Sequence, residues 1–252
     1  MAREEFVYGM HPVLEILSSG KRRVWQLFTD KTKKGPQMDA LARAASKRGI
    51  GLTRVDGKDI DRMAPRGANH QGVILKTESF AAMSLQDAIL SEQDIKNAVW
   101  LAIDEVTDPQ NLGSMLRNAA CLGVSTVVLP SRRTVGITPT VYKAASGALE
   151  HLKIAEVGNL NQTMMELKDK GFWIYGAEMS GKPLNEVSFN RPLLLVMGSE
   201  GEGLREKTSA HCDELVSITQ QGGVESLNAA CACAILLYDI QCKTGAPAKK
   251  VR

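Results

Sequence analysis

The strongest constraint on the fold is a repeated alternation of short apolar strands with longer helices, which begins at Ala98. The predicted strands are residues 99–103, 126–129, 153–157, 173–176, 193–197 and 214–218. The predicted helices are residues 112–122, 139–145, 160–170 and 227–241. This alternation predicts an α/β domain over residues 98–252, with a parallel sheet covered by helices on both faces. Ligands of such sheets bind beyond the carboxyl ends of the strands.

The first 77 residues have a different pattern and predict a small mixed domain. We expect strands at 25–29, 52–55 and 72–75 and a helix at 38–47. The formal net charge of the chain is only +3, yet Lys and Arg residues cluster within the first sixty positions. This part is therefore the candidate phosphate-facing surface, with a solvated face as the alternative for any single basic residue. Residues 78–97 predict a linker with a short helix.

Cysteine usage and hydropathy bear on the compartment. The five cysteines lack CxxC spacing, and the first residues, MAREEFVYG, contain no apolar signal region. We therefore expect a reduced, cytoplasmic protein. The longest apolar run, Leu193–Met197, is far too short to span a bilayer, so we expect no membrane segment. The four histidines are scattered singly, and we expect no metal site.

The first polar loop follows the strand that ends at Ile103 and leads into the helix that carries Arg117. Asp108-Pro109 is a turn signal, and Asn111 is a candidate N-cap for that helix. Arg117 lies about one and a half turns inside the helix. Two interpretations stay open from these residues alone. Asp108 pairs with Arg117 to fix the turn, or the loop carries chemistry.

The second polar loop, Gly198–Leu204, holds three glycines and two carboxylates, Glu200 and Glu202. Glycines let backbone amides approach a ligand closely. The spacing is GxxGxG, which differs from the dinucleotide fingerprint and disfavours a nicotinamide site. Two carboxylates would also repel a polyphosphate. The loop therefore predicts a neutral or cationic ligand.

The third polar loop ends in Ser226 and Asn228, just before the last predicted helix. Ser226 is the expected N-cap, which places Asn228 in the first turn, where asparagine is a poor helix former. The small residues that follow predict close packing. Cys231 and Cys233 are expected to be small core residues, because no histidine ligand lies nearby.

Taken together, the three loops resemble the motifs of the SpoU/TrmH branch of the SPOUT methyltransferases. The matches are DxxxDPxNxGxxxR from Asp104 to Arg117, VMGSEGEGL from Val196 to Leu204, and the stretch from Ile218 that ends in SLN at Asn228. YGMHPVLEIL (Tyr8–Leu17) and NHQGVIL (Asn69–Leu75) resemble members whose N-terminal RNA-binding domain is similar to ribosomal protein L30. The subgroup most similar in pattern comprises bacterial 23S rRNA guanosine-2′-O-methyltransferases.

The resemblance implies a deep trefoil knot in the C-terminal domain, a homodimer, and methyl transfer from S-adenosylmethionine to a ribose 2′-hydroxyl of large-subunit ribosomal RNA. The positions that match functional residues of the family are Asn111, Arg117, Glu200, Ser226 and Asn228. The positions that match its cofactor pocket are Gly198, Ile218 and Leu227. Two departures lie beside that pocket, namely Ala229–Ala232 in place of a Val-Ser-Val-Ala run and Gln220 where methionine is common.

Three other functions are compatible with parts of this pattern. A transfer-RNA 2′-O-methyltransferase is the nearest, although its compact type usually lacks the N-terminal domain. A non-catalytic RNA-binding protein on the same fold is the second, and the intact set of five functional positions argues against it. A nucleotide-dependent oxidoreductase is the third, and the glycine spacing disfavours it.

Overall fold

The computed structural model describes residues 3–201, 203–223 and 226–245. Contacts divide the chain into two compact units. One unit holds the residues up to Ala81 together with Ile137–His151, and the other holds Ala82–Gly136 together with the residues from Leu152 onward. The chain therefore passes between the units three times. The domain boundaries expected from the sequence, at residues 77 and 97, stay a prediction.

The N-terminal unit is built on a four-stranded sheet. Its first elements are β1 (Glu4–Tyr8), α1 (Met10–Ser19), β2 (Val24–Asp30), α2 (Pro36–Lys47), β3 (Gly51–Val55), α3 (Gly57–Met63) and β4 (Val73–Glu78). The strand order is β1-β4-β2-β3, in which β4 runs antiparallel to both neighbours and β2 is parallel to β3. The sequence prediction missed β1, α1 and α3. Proline at the third position of α1 and a glycine just before the helix argue against a helix at the level of sequence, although Pro is tolerated in a first turn.

The second unit contains a six-stranded, wholly parallel sheet. Its elements are α4 (Leu85–Leu90), a 3-10 helix (Ile95–Asn97), β5 (Val99–Ile103), α5 (Pro109–Cys121), β6 (Thr126–Pro130), β7 (Lys153–Val157), α7 (Leu160–Asp169), β8 (Trp173–Pro183), a 3-10 helix (Leu184–Glu186), β9 (Leu193–Met197), α8 (Glu206–Ser209), β10 (Glu214–Ser217) and α9 (Ala229–Thr244). The strand order is β10-β8-β9-β5-β6-β7.

The central strands β5 and β9 explain why this sheet forms. All five residues of each are buried, as apolar runs covered on both faces should be. They pair in register from Val99 opposite Leu193 to Ile103 opposite Met197, so the loops that follow them start side by side. The predicted parallel α/β domain is thus confirmed. The trefoil knot and the likeness to ribosomal protein L30 stay predictions.

The segment 137–151 packs within the N-terminal unit, although the sequence prediction assigned its helix to the 98–252 domain. It forms α6 (Pro139–Ala144) and a 3-10 helix (Ala148–His151). The Glu150 carboxylate is 3% exposed, accepts hydrogen bonds from Tyr142 and Ser19 (both 2.9 Å), and pairs with Arg22 at 3.2 Å. A buried carboxylate needs such partners. The network is built from residues far apart in sequence, which a local pattern does not reveal.

The sequence predicts neither a membrane-spanning segment nor a metal site. In the part of the chain that the structure describes, no helix is both long and apolar enough to cross a bilayer. The described residues also contain no group of three or more His, Cys, Asp or Glu side chains arranged to hold a metal ion. The cytoplasmic location stays a prediction.

Candidate active site

Helix α5 positions the first polar loop, and it begins earlier than expected. Asp108 is its N-cap, because the carboxylate accepts hydrogen bonds from the backbone amides of Gln110 (3.0 Å) and Asn111 (3.3 Å), with Pro109 at the first helical position. The prediction that Asn111 caps this helix is wrong. Its side chain points out of the first turn instead and is available for other contacts.

Helix α9 is capped by Asn228, and the prediction that Ser226 caps it is also wrong. The Asn228 side-chain oxygen accepts hydrogen bonds from the backbone amides of Ala230 (2.9 Å) and Cys231 (3.3 Å). Asparagine is poor inside a helix but among the best N-caps, which explains its place here. Ser226 therefore lies outside the helix, and its hydroxyl is not engaged as the cap.

The two cysteines of α9 differ, and only one of them matches the prediction. Cys233 is fully buried, and that burial raises the pKa of its thiol to about 12. Cys231 is exposed, so its predicted place in the core is wrong. Residues two apart in a helix lie about 200° apart around its axis, and therefore one of the two faces away from the core.

A chain of hydrogen bonds joins the three loops. The side-chain amide of Asn228 donates to the Asn111 oxygen (2.9 Å), and the Asn111 amide donates to a Glu200 carboxylate oxygen (2.7 Å). The direction of this chain follows from its ends. Asn228 must use its oxygen for the cap, so its NH₂ faces Asn111, whose NH₂ is then left for the acceptor-only carboxylate. The three motifs thus meet at one point of the sheet edge.

The glycine-rich loop after β9 is closed on itself. Ser199 and Gly203 exchange two backbone hydrogen bonds of 3.1 and 3.2 Å, which makes a tight turn. A Cβ added at Gly198 would lie 2.1 Å from the Gly203 carbonyl oxygen, so only glycine fits there. Gly201 and Gly203 adopt left-handed backbone conformations, with φ of 91° and 67°.

Glu178, on β8, anchors this loop and was missed by the sequence prediction. One of its carboxylate oxygens accepts a hydrogen bond from the Leu204 amide at 3.2 Å, and the other accepts from its neighbour Met179 at 3.1 Å. The predicted strand ended at Gly176, whereas β8 continues to Pro183 and carries Glu178 to the edge of the site. A carboxylate two residues beyond an apolar strand was the available signal.

A cavity of about 140 Å³ opens between this loop, the end of β10 and the start of α9. Its lining includes all three positions predicted for the cofactor and two of those predicted for catalysis: Gly198, Ile218, Leu227, Glu200 and Ser226. Gln220, one of the two departures from the family pattern, also lines it.

The charge of this cavity is one-sided. Glu178 and Glu200 line it, and the described lining residues include no Lys or Arg. Small residues of α9, Ala229 and Ala232, leave room beside apolar walls such as Val216. Backbone groups, apolar walls and carboxylates fit S-adenosylmethionine, whose adenine has flat apolar faces and a hydrogen-bonding edge and whose sulfonium is cationic.

Arg117 lies on α5, six residues beyond Asn111, and its side chain is exposed. It does not line the cavity among the residues described there. Of the five positions predicted for catalysis, the structure therefore joins Asn111, Glu200 and Asn228 by hydrogen bonds, and sets Ser226 in the cavity wall. The roles of all five stay predictions.

The parallel α/β sheet that carries these loops at its carboxyl edge has the fold of a solved SpoU methyltransferase. The chain is similar to the SpoU methyltransferase AviRb from Streptomyces viridochromogenes in complex with AdoMet, with a TM-score of 0.78 and 22% identity over 94% of this chain and 89% of that one. This likeness concerns the fold.

Sequence comparison gives the family. The profile of the SpoU rRNA Methylase family matches residues 98–238, and that of RNA 2′-O ribose methyltransferase substrate binding matches residues 6–82. The chain belongs to the SpoU rRNA methylase family, which confirms both the resemblance seen in the three loops and the predicted class of S-adenosylmethionine-dependent RNA 2′-O-methyltransferases.

Two curated relatives match almost end to end. A 23S rRNA (guanosine-2′-O-)-methyltransferase, RlmB, of Coxiella burnetii is 34% identical over 98% of this chain and 99% of its own length. YacO of Bacillus subtilis, whose name assigns it to the TrmH family of tRNA/rRNA methyltransferases, is 35% identical over 94% of this chain and 95% of its own length.

Proposed function

We propose that this protein transfers a methyl group from S-adenosylmethionine to the 2′-hydroxyl of a guanosine in 23S ribosomal RNA. The observation that carries the proposal is the hydrogen-bonded chain from Asn228 through Asn111 to Glu200, beside the acidic cavity. The names of relatives such as the Coxiella burnetii protein support the choice of substrate.

Gly198, Ile218 and Leu227 would hold the cofactor, largely through backbone groups and apolar contact. S-adenosylmethionine supplies an electrophilic methyl group on a positively charged sulfur. Glu178 and Glu200 favour a cation near the glycine loop, because an opposite charge in a partly enclosed site stabilises it. The closed turn from Ser199 to Gly203 keeps this surface in place before any ligand binds.

Arg117 would act at the reacting ribose. As the oxygen–carbon bond forms and the carbon–sulfur bond breaks, the hydroxyl would release its proton to solvent water, and the cofactor would leave as the neutral thioether. A guanidinium stays protonated and is a poor proton acceptor. We therefore assign to Arg117 the binding of the adjacent phosphate and the stabilisation of the developing alkoxide, a kind of electrostatic help that reaches a hundredfold or more in other enzymes, roughly 10²–10³.

The other four positions would orient groups rather than react. Asn111 receives a hydrogen bond from Asn228 and donates one to Glu200, so it fixes the carboxylate relative to both helix ends. Ser226 lies in the cavity wall with its hydroxyl outside the helix cap, and would hold the ribose. Holding oxygen, carbon and sulfur in line contributes several kcal/mol in well-oriented reactions, on the order of 7–11 kcal/mol at most.

The test is methyl transfer from isotope-labelled S-adenosylmethionine to separated ribosomal and transfer RNA, followed by nuclease digestion. Label in 2′-O-methylguanosine from large-subunit RNA supports the proposal. Label in transfer RNA keeps the reaction and overturns the substrate, which the name of the Bacillus subtilis relative leaves open. Cofactor binding without transfer to free RNA or to isolated large subunits would favour a non-catalytic RNA-binding protein.

We also propose a homodimer formed through α9. Besides Lys243, the exposed residues of this helix recur at spacings of four, three and four positions: Cys231, Ile235, Tyr238 and Cys242. Such spacing places them on one face, and an apolar stripe of this kind on a helix packs against another surface. Ile235 is 41% and Tyr238 62% exposed in the single chain.

Ile235→Asp should convert the dimer to a monomer, because it buries a charge in the proposed interface. The measurement is light scattering or sedimentation velocity at a series of protein concentrations. Met165→Asp on α7 is the matched control, since Met165 is 45% exposed and lies on another helix. A monomeric parent protein, or equal effects of the two substitutions, would contradict the α9 interface.

A further inference from the structure

The second unit, which holds the six-stranded sheet and is called the methyltransferase unit below, has another cavity at the same edge of that sheet, where β5, β6 and β7 end. Its volume is about 270 Å³. The residues that line it are Asp104, Pro130, Arg132, Arg133, Gly158, Asn159, Leu160, Asn161 and Arg205. Three guanidinium groups line this cavity, and none of its residues belongs to the functional set predicted from the motifs.

The positive charge of this cavity exceeds its negative charge. Arg205 pairs with Asp104, and Arg133 pairs with Glu105 at 3.1 Å, with Arg205 also 3.5 Å from Glu105. Arg132 is exposed, and among the residues that the structure describes it has no hydrogen-bond or ion-pair partner. Three guanidiniums against two carboxylates leave one unit of positive charge at the mouth of the cavity.

Arg205 is held in place from behind. The Asp104 carboxylate, 2% exposed, accepts from Arg205 Nε and Nη2 at 3.2 and 2.9 Å, and it also accepts from the Thr208 hydroxyl at 3.3 Å. The Nη1 amino group of Arg205 takes no part in this pairing with Asp104. A guanidinium fixed in this way loses little freedom when it binds an anion, which favours phosphate recognition.

The two loops around the cavity are strained and tied together. Glu105 and Arg133, which pair with each other, both adopt left-handed backbone conformations although neither is glycine, with φ of 58° and 66°. The Glu105 amide also donates to the Thr134 hydroxyl at 3.2 Å. Each such residue costs on the order of 1–3 kcal/mol, and strain of this kind gathers at ligand sites.

We propose that this cavity binds a backbone phosphate of the RNA substrate near the target nucleotide, with Arg132 as the principal contact. The inference rests on the proposed function. The Asp104 amide donates to the Met197 carbonyl at 2.8 Å, so the cavity starts one strand away from the glycine loop. With strands about 4.8 Å apart, β7 lies about 14 Å from β9, a span of about four stacked nucleotides at 3.4 Å each.

The test measures methyl transfer to an unmodified large-subunit RNA transcript by the full chain and by Arg132→Ala and Arg132→Glu. We expect the alanine variant to raise the KM for RNA about tenfold and the charge reversal to raise it further, with S-adenosylmethionine affinity unchanged. Between about 50 and 200 mM NaCl, the slope of log KM against log salt should fall by about one for the alanine variant.

The matched control is Lys170→Ala. Lys170 is an exposed cation that follows the last residue of α7, about 15 Å from the end of that helix that borders the cavity. It should leave both the KM and the salt slope at the parent values. Equal KM and equal slope for Arg132→Ala and the parent would overturn the proposal, and so would a loss shared by Lys170→Ala.

Two further measurements separate the causes of failure. Filter binding of the same transcript tests the cavity even if no methyl group is transferred. A parent protein that binds RNA but methylates none would contradict the proposed function, and the phosphate site would still be tested by binding. Inorganic phosphate at constant ionic strength tests for a free-anion site. Competition with RNA that is strong in the parent and lost in Arg132→Ala supports the site, and equal competition in both overturns it.

Discussion

The two halves of the sheet edge in the methyltransferase unit carry opposite charge. Where β8, β9 and β10 end, the cavity has glycine, alanine and apolar walls with Glu178 and Glu200, and its described lining holds no basic residue. Where β5, β6 and β7 end, the cavity is lined by Arg132, Arg133 and Arg205. Both halves are built on the carboxyl ends of parallel strands of one sheet.

This difference shows how one edge can serve two ligands of opposite charge. A cationic cofactor and a polyanionic RNA each need a complementary potential, and a mixed edge would weaken both. The strands β9 and β5 are neighbours, so the boundary between the halves falls between their loops. The hydrogen bond from Asn111 to Glu200 crosses that boundary. The reacting groups of cofactor and RNA would have to meet there.

The largest expected effect is that of Arg117→Ala. If Arg117 stabilises the ribose oxygen as it loses its proton, turnover should fall at least a hundredfold, roughly 10²–10³, whereas the affinity for S-adenosylmethionine should change less than about twofold. Single-turnover methyl transfer and calorimetric titration of the cofactor measure the two quantities separately.

Arg117→Lys is the control for charge alone. Lysine keeps the positive charge but loses the planar, forked donor geometry, so it should recover only part of the activity. Equal losses of turnover and of cofactor affinity in Arg117→Ala would mean that Arg117 supports the structure of the site and takes no part at the ribose.

A smaller effect is expected for Asn228→Asp, which tests the link across the boundary. Aspartate caps a helix as well as asparagine does, so the stability of α9 should stay within about 0.5 kcal/mol of the parent. It has no N–H to offer Asn111, so the chain to Glu200 loses its first donor. Methyl transfer should fall about tenfold.

Asn228→Ala completes this test, because it removes the cap together with the link and should also cost about 1 kcal/mol of stability in thermal unfolding. Full activity of Asn228→Asp would show that the hydrogen bond to Asn111 contributes nothing to turnover. Equal destabilisation by both substitutions would contradict the assignment of Asn228 as the cap.

The features that the sequence predicted well are those set by local pattern. The apolar runs 99–103 and 193–197 predict buried strands because they are short, and the structure has both at these bounds. The three loops were found because each collects glycines and polar side chains at the end of such a run. Their meeting point follows from topology, since the strand ends of a parallel sheet share one edge.

The features that escaped prediction depend on contacts between distant residues. Asp108 and Asn111 lie about one helical turn apart and both residue types are good N-caps, so the local pattern does not decide which of them caps α5. The role of Glu178 follows only from the tertiary structure, in which β8 extends past Gly176 and lies beside the glycine loop. The placement of residues 137–151 depends on a buried network around Glu150, whose partners come from both ends of the unit's sequence.

The smallest expected effect tests whether Glu178 favours a cation by its charge or only holds the glycine loop in place as a hydrogen-bond acceptor. Glu178→Gln keeps an oxygen to accept from the Leu204 amide, gives up the hydrogen bond from the adjacent Met179 amide, and removes one negative charge. If the carboxylate acts by its charge, S-adenosylmethionine should bind about two- to fivefold more weakly, the range expected for a screened interaction in a partly open site. S-adenosylhomocysteine, which carries no charge on sulfur, should bind as before.

Glu178→Ala is the control for the difference between the two ligands. It leaves the Leu204 amide without its acceptor and loosens the glycine loop. Both ligands should then bind more weakly, and by the same factor. If Glu178→Gln weakens both ligands equally, the carboxylate acts only as a hydrogen-bond acceptor. The acidity of this half of the edge would then be a consequence of loop anchoring rather than a means of selecting a cation, and the comparison of the two halves would rest on the arginines alone.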